Sequence, residues 1–338
     1  MSVPTRGCEA AISWPVSVYH QGDSPKELRQ SRTRLEVTRQ ASISRSLLNK
    51  NNDAETFIER RKANKVRTVI RVALIGVLLF VVSVNSALAA SGGLIPELEV
   101  PQVAGAAVGV LPDYEGSDDY TFGIAPFFRY TFQKQERYIQ LFANELSANL
   151  LNNPNLRLGP VLTYQFGRNN QIDDRQVKRM TEIDGTVMGG VFADYVFRLS
   201  QNPRHRFIVG GQVQYDLGGE NNGWKFSGAA RYWHPVATAV DLFLGTQLNF
   251  ATKDYMDTYF AVDSADSTRS GLPKYTAGGG AKDFALAGGA TFYLSRSWVT
   301  TAGLKYSRLL DHAGDSPIVD DRGSENQLFG GVGIAYMW

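Results

Sequence analysis

The residues best equipped for chemistry are the histidines and the carboxylates around them. His312 lies beside Asp311, Asp315, Ser316, Asp320 and Asp321. That set contains the parts of a nucleophile–base pair, or the oxygens of a weak divalent-cation site. On an acidic surface loop the plainer outcome is solvation, or bridging by divalent ions. His205 and His234 each sit beside a proline at the end of an apolar run, where a solvated or interfacial imidazole is expected. The chain holds no G-x-S-x-G, no H-E-x-x-H, no P-loop and no G-x-G-x-x-G opening a helix. No catalytic, cofactor-binding or metal-binding residue is therefore assigned, no cofactor is expected, and the reading is non-enzymatic.

The elements that must position these residues are strands. The last twelve residues, QLFGGVGIAYMW, put Leu328, Val332, Ile334, Tyr336 and Trp338 on one face. Phe329, Gly331, Gly333, Ala335 and Met337 fall on the other, the alternation of a half-buried strand. An aromatic edge ending a soluble domain invites aggregation. In a membrane barrel the same strand closes against the first, and its aromatics sit at the lipid boundary. This ending resembles the C-terminal assembly signal of bacterial outer-membrane barrels, with Gly331 where a polar residue is usual.

The same alternation recurs upstream. Phe207, Val209, Val213 and Tyr215 oppose Arg206, Gln212, Gln214 and Asp216. Trp224, Phe226, Ala230 and Tyr232 oppose Lys225, Ser227 and Arg231, and Leu242, Leu244, Leu248 and Phe250 oppose Asp241, Gln247 and Asn249. A soluble sandwich would turn the polar face to water, whereas a membrane barrel turns it to the lumen. On this reading the lumen carries Asp184, Asp194, Asp216 and Asp241 with Arg206, Lys225, Arg231 and Lys305. Eleven such runs are countable, near 102–111, 120–132, 137–148, 156–167, 182–198, 204–217, 223–236, 240–252, 281–294, 298–310 and 327–338. Bacterial barrels have an even number of strands, so one is missed or split. The N-terminal half, where Pro126 interrupts a run, is the expected place. The fold class is all-β: a transmembrane antiparallel β-barrel of about 12 strands, with 10 as the other count.

Linker lengths alternate. Residues 311–326, 253–280 and 169–181 are long, while 295–297 and 235–239 are short. Long external loops and short periplasmic turns are the pattern of an outer-membrane barrel.

The N-terminal part differs in kind. Residues 1–65 carry twelve basic side chains against seven acids and no periodicity, a disordered basic extension that also fits a mis-called start. Lys65, Arg67 and Arg71 then precede the apolar run Val72–Val84 and the stretch Ala87-Leu88-Ala89. This describes a signal peptide over 66–89, cleaved after Ala89, and too short for a membrane-spanning helix. Residues 90–101 form a periplasmic segment ahead of a barrel over 102–338. The full chain has 35 basic and 33 acidic residues, of which 14 and 7 lie in 1–89. The exported part keeps 21 against 26, a formal charge of −5, so nucleic acid is not an expected partner. Cys8, the single cysteine, lies in the discarded part, which leaves no disulfide framework.

Three loop segments carry a family resemblance. They are Leu111-Pro112-Asp113-Tyr114-Glu115-Gly116-Ser117-Asp118-Asp119, then Tyr255-Met256-Asp257-Thr258-Tyr259-Phe260-Ala261-Val262 with Ser270-Gly271-Leu272-Pro273-Lys274-Tyr275, and Ser316-Pro317-Ile318-Val319-Asp320-Asp321-Arg322-Gly323-Ser324. With Gly159-Pro160-Val161 and Gly167-Arg168 between them, the chain resembles the MipA/OmpV family of outer-membrane proteins across about 100–338. The resemblance implies a Gram-negative outer-membrane location in contact with lipid and lipopolysaccharide. It further implies a scaffold joining a murein-cleaving lytic transglycosylase to a murein-synthesising penicillin-binding protein. Small-solute channels and adhesins are the alternative roles it implies, and it supplies no catalytic residue to carry over.

Overall fold

The computed structural model describes residues 102–338. The extension 1–65, the expected export signal 66–89 with its cleavage point, Cys8 and the segment 90–101 lie outside the described residues. Within them, period-two sequence becomes twelve strands: β1 Gln102–Pro112, β2 Tyr120–Thr131, β3 Tyr138–Phe142, β4 Glu145–Asn149, β5 Leu156–Gln165, β6 Thr186–Arg198, β7 Arg206–Asp216, β8 Trp224–Ala237, β9 Val240–Ala251, β10 Gly280–Tyr293, β11 Trp298–Leu309 and β12 Asn326–Met337. Each pairs antiparallel with its sequence neighbour, and β12 returns to β1 from Val103↔Met337 to Val110↔Gly330. Closure leaves no first or last edge, the condition for a sheet to sit in lipid. No helix among the described residues is long and apolar enough to cross a membrane.

The faces follow the alternation. On β12, Leu328, Val332, Ile334, Tyr336 and Trp338 are exposed, while Phe329 and Ala335 are buried inside. Outward-facing aromatics, exposed or half-buried, gather at the two ends of the wall. Trp298 meets Tyr336 edge-on at 5.3 Å at one end, and Tyr215 meets Trp224 at 4.9 Å at the other. These are the amphipathic girdles of a membrane barrel.

The split strand is not at Pro126. Strand β2 runs through that proline without a break. The single run near 137–148 is instead a hairpin, β3 and β4, turning at Ala143–Asn144 with Leu141 opposite Leu146. Ala143 adopts φ +53°, a tight reversal that alternation of apolar residues does not announce. Asp184 is the second correction. It is exposed in the loop before β6, and its N–H donates to Glu220 Oε1 at 3.1 Å, so it does not face the lumen.

The long connections 113–119, 166–185, 217–223, 252–279 and 310–325 gather at one end, the outer end of such a barrel. Four short helices lie in them: α1 Lys253–Phe260, α2 Ser264–Ser270, α3 Asp311–Gly314 and α4 Pro317–Asp320. The turns 132–137, 150–155, 199–205, 238–239 and 294–297 close the other, periplasmic end.

Candidate functional site: a polar lumen under a packed lid

Strand β10 supplies the centre of the lumen by breaking its own alternation. Its pairing to β9 shifts between Ala281 and Asp283, a bulge that turns both Lys282 and Asp283 inward. Lys282 Nζ reaches Asp283 Oδ2 at 2.7 Å and also pairs with Glu115, which descends from the β1–β2 loop. Asp283 Oδ1 accepts from Asn249 Nδ2 at 2.7 Å and from Ser307 Oγ at 3.4 Å. Asn249 in turn accepts from Ser227 at 2.6 Å and Gln247 at 2.9 Å. The network thus links β8, β9, β10, β11 and an outer loop. Enclosed charges survive only when paired and hydrogen-bonded in this way. Alternation over 281–294 gave no sign of Lys282 as a lumen residue, because a bulge is invisible to a period-two reading.

Below this network, Glu145 accepts from Gln212 at 3.3 Å and Thr163 at 3.5 Å, and Gln214 donates to Thr163 at 2.6 Å. Arg231 bonds Asp194 at 2.7 Å. At the periplasmic end, cations lie on aromatic rings. Arg129 sits 3.8 Å from the Tyr138 centroid, Arg206 4.6 Å from Trp233, and Arg204 5.0 Å from Tyr293 while pairing with Asp241 at 3.0 Å. Of the lumen residues read from sequence, Asp194, Asp216, Asp241, Arg206 and Lys305 are buried inward, and Lys225 and Arg231 line the lumen.

The outer mouth is covered by a lid with its own dry core. Helix α1 presents Tyr255, Met256, Tyr259 and Phe260 on its inner side, against Met188, Leu309, Ala313 and Val319. A second cluster joins Tyr114, Ile172, Val177, Met180, Val262, Leu272 and Ile318, drawn from four different connections. Local chemistry sets these short helices. Asp263 caps α2 by accepting from Asp266 N at 2.6 Å, and Gly271 ends it at φ +81°. Ser316 caps α4, with Pro317 in its first turn. Gly223 lets α1 approach the rim, since a Cβ there would lie 2.5 Å from Tyr255 N.

Polar bonds stitch the lid. Arg322 holds Asp174 through Nε at 3.0 Å, Thr181 N donates to Asp266 Oδ1 at 2.7 Å, and Asp173 N donates to Asp113 Oδ2 at 2.9 Å. Burial pulls the carboxyls of Asp174 and Asp266 upward. Bonds from Arg322 and the Val177 and Gln176 amides outweigh it at Asp174, and bonds from Thr181 and Arg269 outweigh it at Asp266, so both end below the ordinary value of 3.8. Burial raises Asp113 instead, and pushes the Tyr255 and Tyr259 phenols well up.

The histidine set separates. Ser316 Oγ is fully buried and donates to Phe260 O at 2.6 Å, so it is a lid cap and no nucleophile for His312. His312 meets Tyr275, whose hydroxyl donates to the His312 carbonyl at 3.0 Å. Among the described residues, no three His, Cys, Asp or Glu side chains converge as metal ligands. His205 and His234, far apart in sequence, come together on the Tyr232 hydroxyl, each at 3.1 Å. Antiparallel pairing of β7 with β8 makes that meeting, and neither run alone announces it.

The family model described as MltA-interacting protein MipA matches residues 104–338. No curated protein sequence matches the chain. Among solved structures it is similar to the NanC porin, at TM-score 0.40 and 10% identity, over 70% of this chain and 100% of that one. It is similar to the COG4313 outer membrane channel from Pseudomonas putida F1, at TM-score 0.41 and 12% identity, over 73% and 98%. It is also similar to the translocator domain of autotransporter NalP from Neisseria meningitidis, at TM-score 0.36 and 12% identity, over 80% and 98%.

Proposed function

We propose, from the premise that this chain belongs to the MipA family, that it is a non-enzymatic scaffold in the outer membrane. It would hold a lytic transglycosylase, the class of partner in the family's description, beside a murein-synthesising penicillin-binding protein. The observation that carries this reading is the lid: four outer connections share an apolar core over the mouth. A barrel closed in this way works at its periplasmic face.

That face is braced. Glu136 N donates to Asn152 at 2.9 Å, Arg198 reaches Pro154 O at 3.3 Å, and Asn155 bonds Val196 O at 2.8 Å. Two turns and the end of β6 are thereby tied into one ledge, and a preorganised surface loses less entropy on binding. A specific interface needs about 800 Å² from each partner, more than such turns offer alone. In this proposal residues 66–89 direct export, 1–65 are absent from the mature protein, and 90–101 extend the ledge with Leu94, Ile95 and Leu98.

Capture of a lytic transglycosylase by the full chain, matched for membrane level, tests it. Deleting 91–100 is expected to weaken capture, and shortening 253–280 to leave it intact. Binding lost only with the outer loop would overturn the scaffold assignment and favour an adhesin or channel.

A further inference from the structure

Antiparallel register sets two imidazoles side by side at the periplasmic rim. Arg206 is opposite Trp233 on the β7–β8 ladder. One residue further, the same register puts His205 opposite His234. Directly opposite residues share a face, with their Cβ atoms about 4.5–5.5 Å apart. Tyr232, two residues before His234, lies on that face too, because a strand repeats every second residue. The face is the outer one. Trp233, between Tyr232 and His234, and Arg206, next to His205, are both buried inside.

The backbone fixes both histidines. His205 donates its N–H to Asn202 O at 3.0 Å, and its carbonyl accepts from Leu199 N at 3.0 Å. His234 is held from its other side by β9, where it pairs with Leu242. The side chains then converge. His205 Nε2 and His234 Nδ1 each lie 3.1 Å from the Tyr232 hydroxyl, and the imidazole centroids are 5.0 Å apart. His234 is exposed and the other two are half-buried, so the cluster is open from outside.

A phenol has one proton and can donate it to one imidazole only. With both rings neutral, the second must donate to the same oxygen, which confines each ring to one tautomer. A metal ion takes a lone pair from all three atoms at once. Ligand atoms about 2.0–2.1 Å from one ion stand roughly 2.8–3.4 Å from each other, for angles between square and tetrahedral. Both N···O distances of 3.1 Å fall inside that range. Two imidazoles on such an ion have centroids roughly 4.5–5.2 Å apart by the same geometry. The observed 5.0 Å fits this as well.

Among the described residues no Asp, Glu or Cys joins the two histidines. Two nitrogens with one phenolic oxygen suit a transition metal, whereas calcium and magnesium take sets of oxygens. Of the divalent ions, copper is held most tightly by nitrogen and oxygen donors, and it accepts flattened geometry.

We propose that His205, Tyr232 and His234 form a copper(II) site on the periplasmic rim of the wall, with water at its remaining positions. Copper displaces the phenolic proton, which passes to solvent. Each imidazole then keeps its N–H on the nitrogen facing away from the ion.

Titration with CuCl2 tests this on untagged protein, extracted from outer membranes of cells expressing the full chain and cleared of metal with EDTA. The bound copper is expected to show coupling to two nitrogens in its electron paramagnetic resonance spectrum, with phenolate-to-copper absorption in the visible. His205→Ala and His234→Ala, each checked for heat-modifiable migration, are expected to weaken binding roughly 10–100-fold, no less than loss of an outer partner costs at a metal site. Tyr232→Phe is expected to abolish the visible absorption and keep the two-nitrogen coupling. His312→Ala is expected to change nothing, and excess Ca2+ or Mg2+ not to compete. Copper held as tightly by the two histidine variants as by the unaltered protein would overturn the proposal. Visible absorption retained in Tyr232→Phe would overturn the phenolate's place in it. Binding lost in His312→Ala would put the copper at the lid, and would also overturn it.

Discussion

The two ends of the barrel are closed by different physics. The outer end is closed as a small soluble domain would be, by buried Tyr255, Met256, Phe260, Ile318 and Val319 drawn from connections distant in sequence. The periplasmic end is narrowed by strand side chains themselves, with Arg129 on Tyr138, Arg206 on Trp233 and Arg204 between Tyr293 and Asp241. A hydrophobic lid is cooperative and separable from the wall, whereas a strand-borne plug cannot open without moving the barrel. The Lys282 network lies between them and belongs to both, since Glu115 hangs from a lid loop and Asp283 from the wall.

The largest effect is expected where lid and wall share charges. Lys282→Ala leaves Glu115 and Asp283 enclosed without their cation, a loss of about 3–5 kcal/mol for such a pair. Urea titration followed by heat-modifiable migration measures it. A midpoint equal to that of the unaltered protein would mean that water already serves these carboxylates.

Phe260→Ala should strike the lid alone. It empties a fully buried site, at a cost of about 3–5 kcal/mol to the lid core, while the sheet keeps every ladder bond. Protease added to intact cells should then cut within 252–279, and planar-bilayer recording should change from a flat trace to transient openings. Unfolding of the barrel in step with the lid would show that the two are not separable.

Ser316→Ala is a smaller probe of the same region. It removes the cap of α4 and the bond to Phe260 O, about 1 kcal/mol. Faster amide exchange confined to the lid is expected, with the strands unchanged.

Acid should loosen the lid last and least. Asp174 and Asp266 have folded values below 3.8, so their stabilisation is present above that pH and fades as pH falls through the lower folded values. Asp113, raised by burial, has the opposite sign and offsets part of the loss. Protease sensitivity of the lid should therefore rise only below about pH 4, where the ordinary carboxylate value lies. A rise already at pH 6 would point to other groups.

What the sequence determined by itself is the alternation, because the period of a strand is a property of its own backbone. Leu328 to Trp338 on one face and Phe329 to Ala335 on the other follow from residue spacing alone, and the face residues of β7, β8 and β9 follow likewise. Long and short linkers ordered the two ends for the same local reason. The hairpin at Ala143–Asn144 and the bulge at Lys282 were hidden, since each breaks a period by one or two residues without changing composition. The lid depended on closure, and the histidine pair on the register of one hairpin. Ile318 finds Tyr114 only when β12 closes on β1, and His205 finds His234 only when β7 and β8 pair in one register. Such contacts belong to the closed sheet, and no segment of the chain carries them alone.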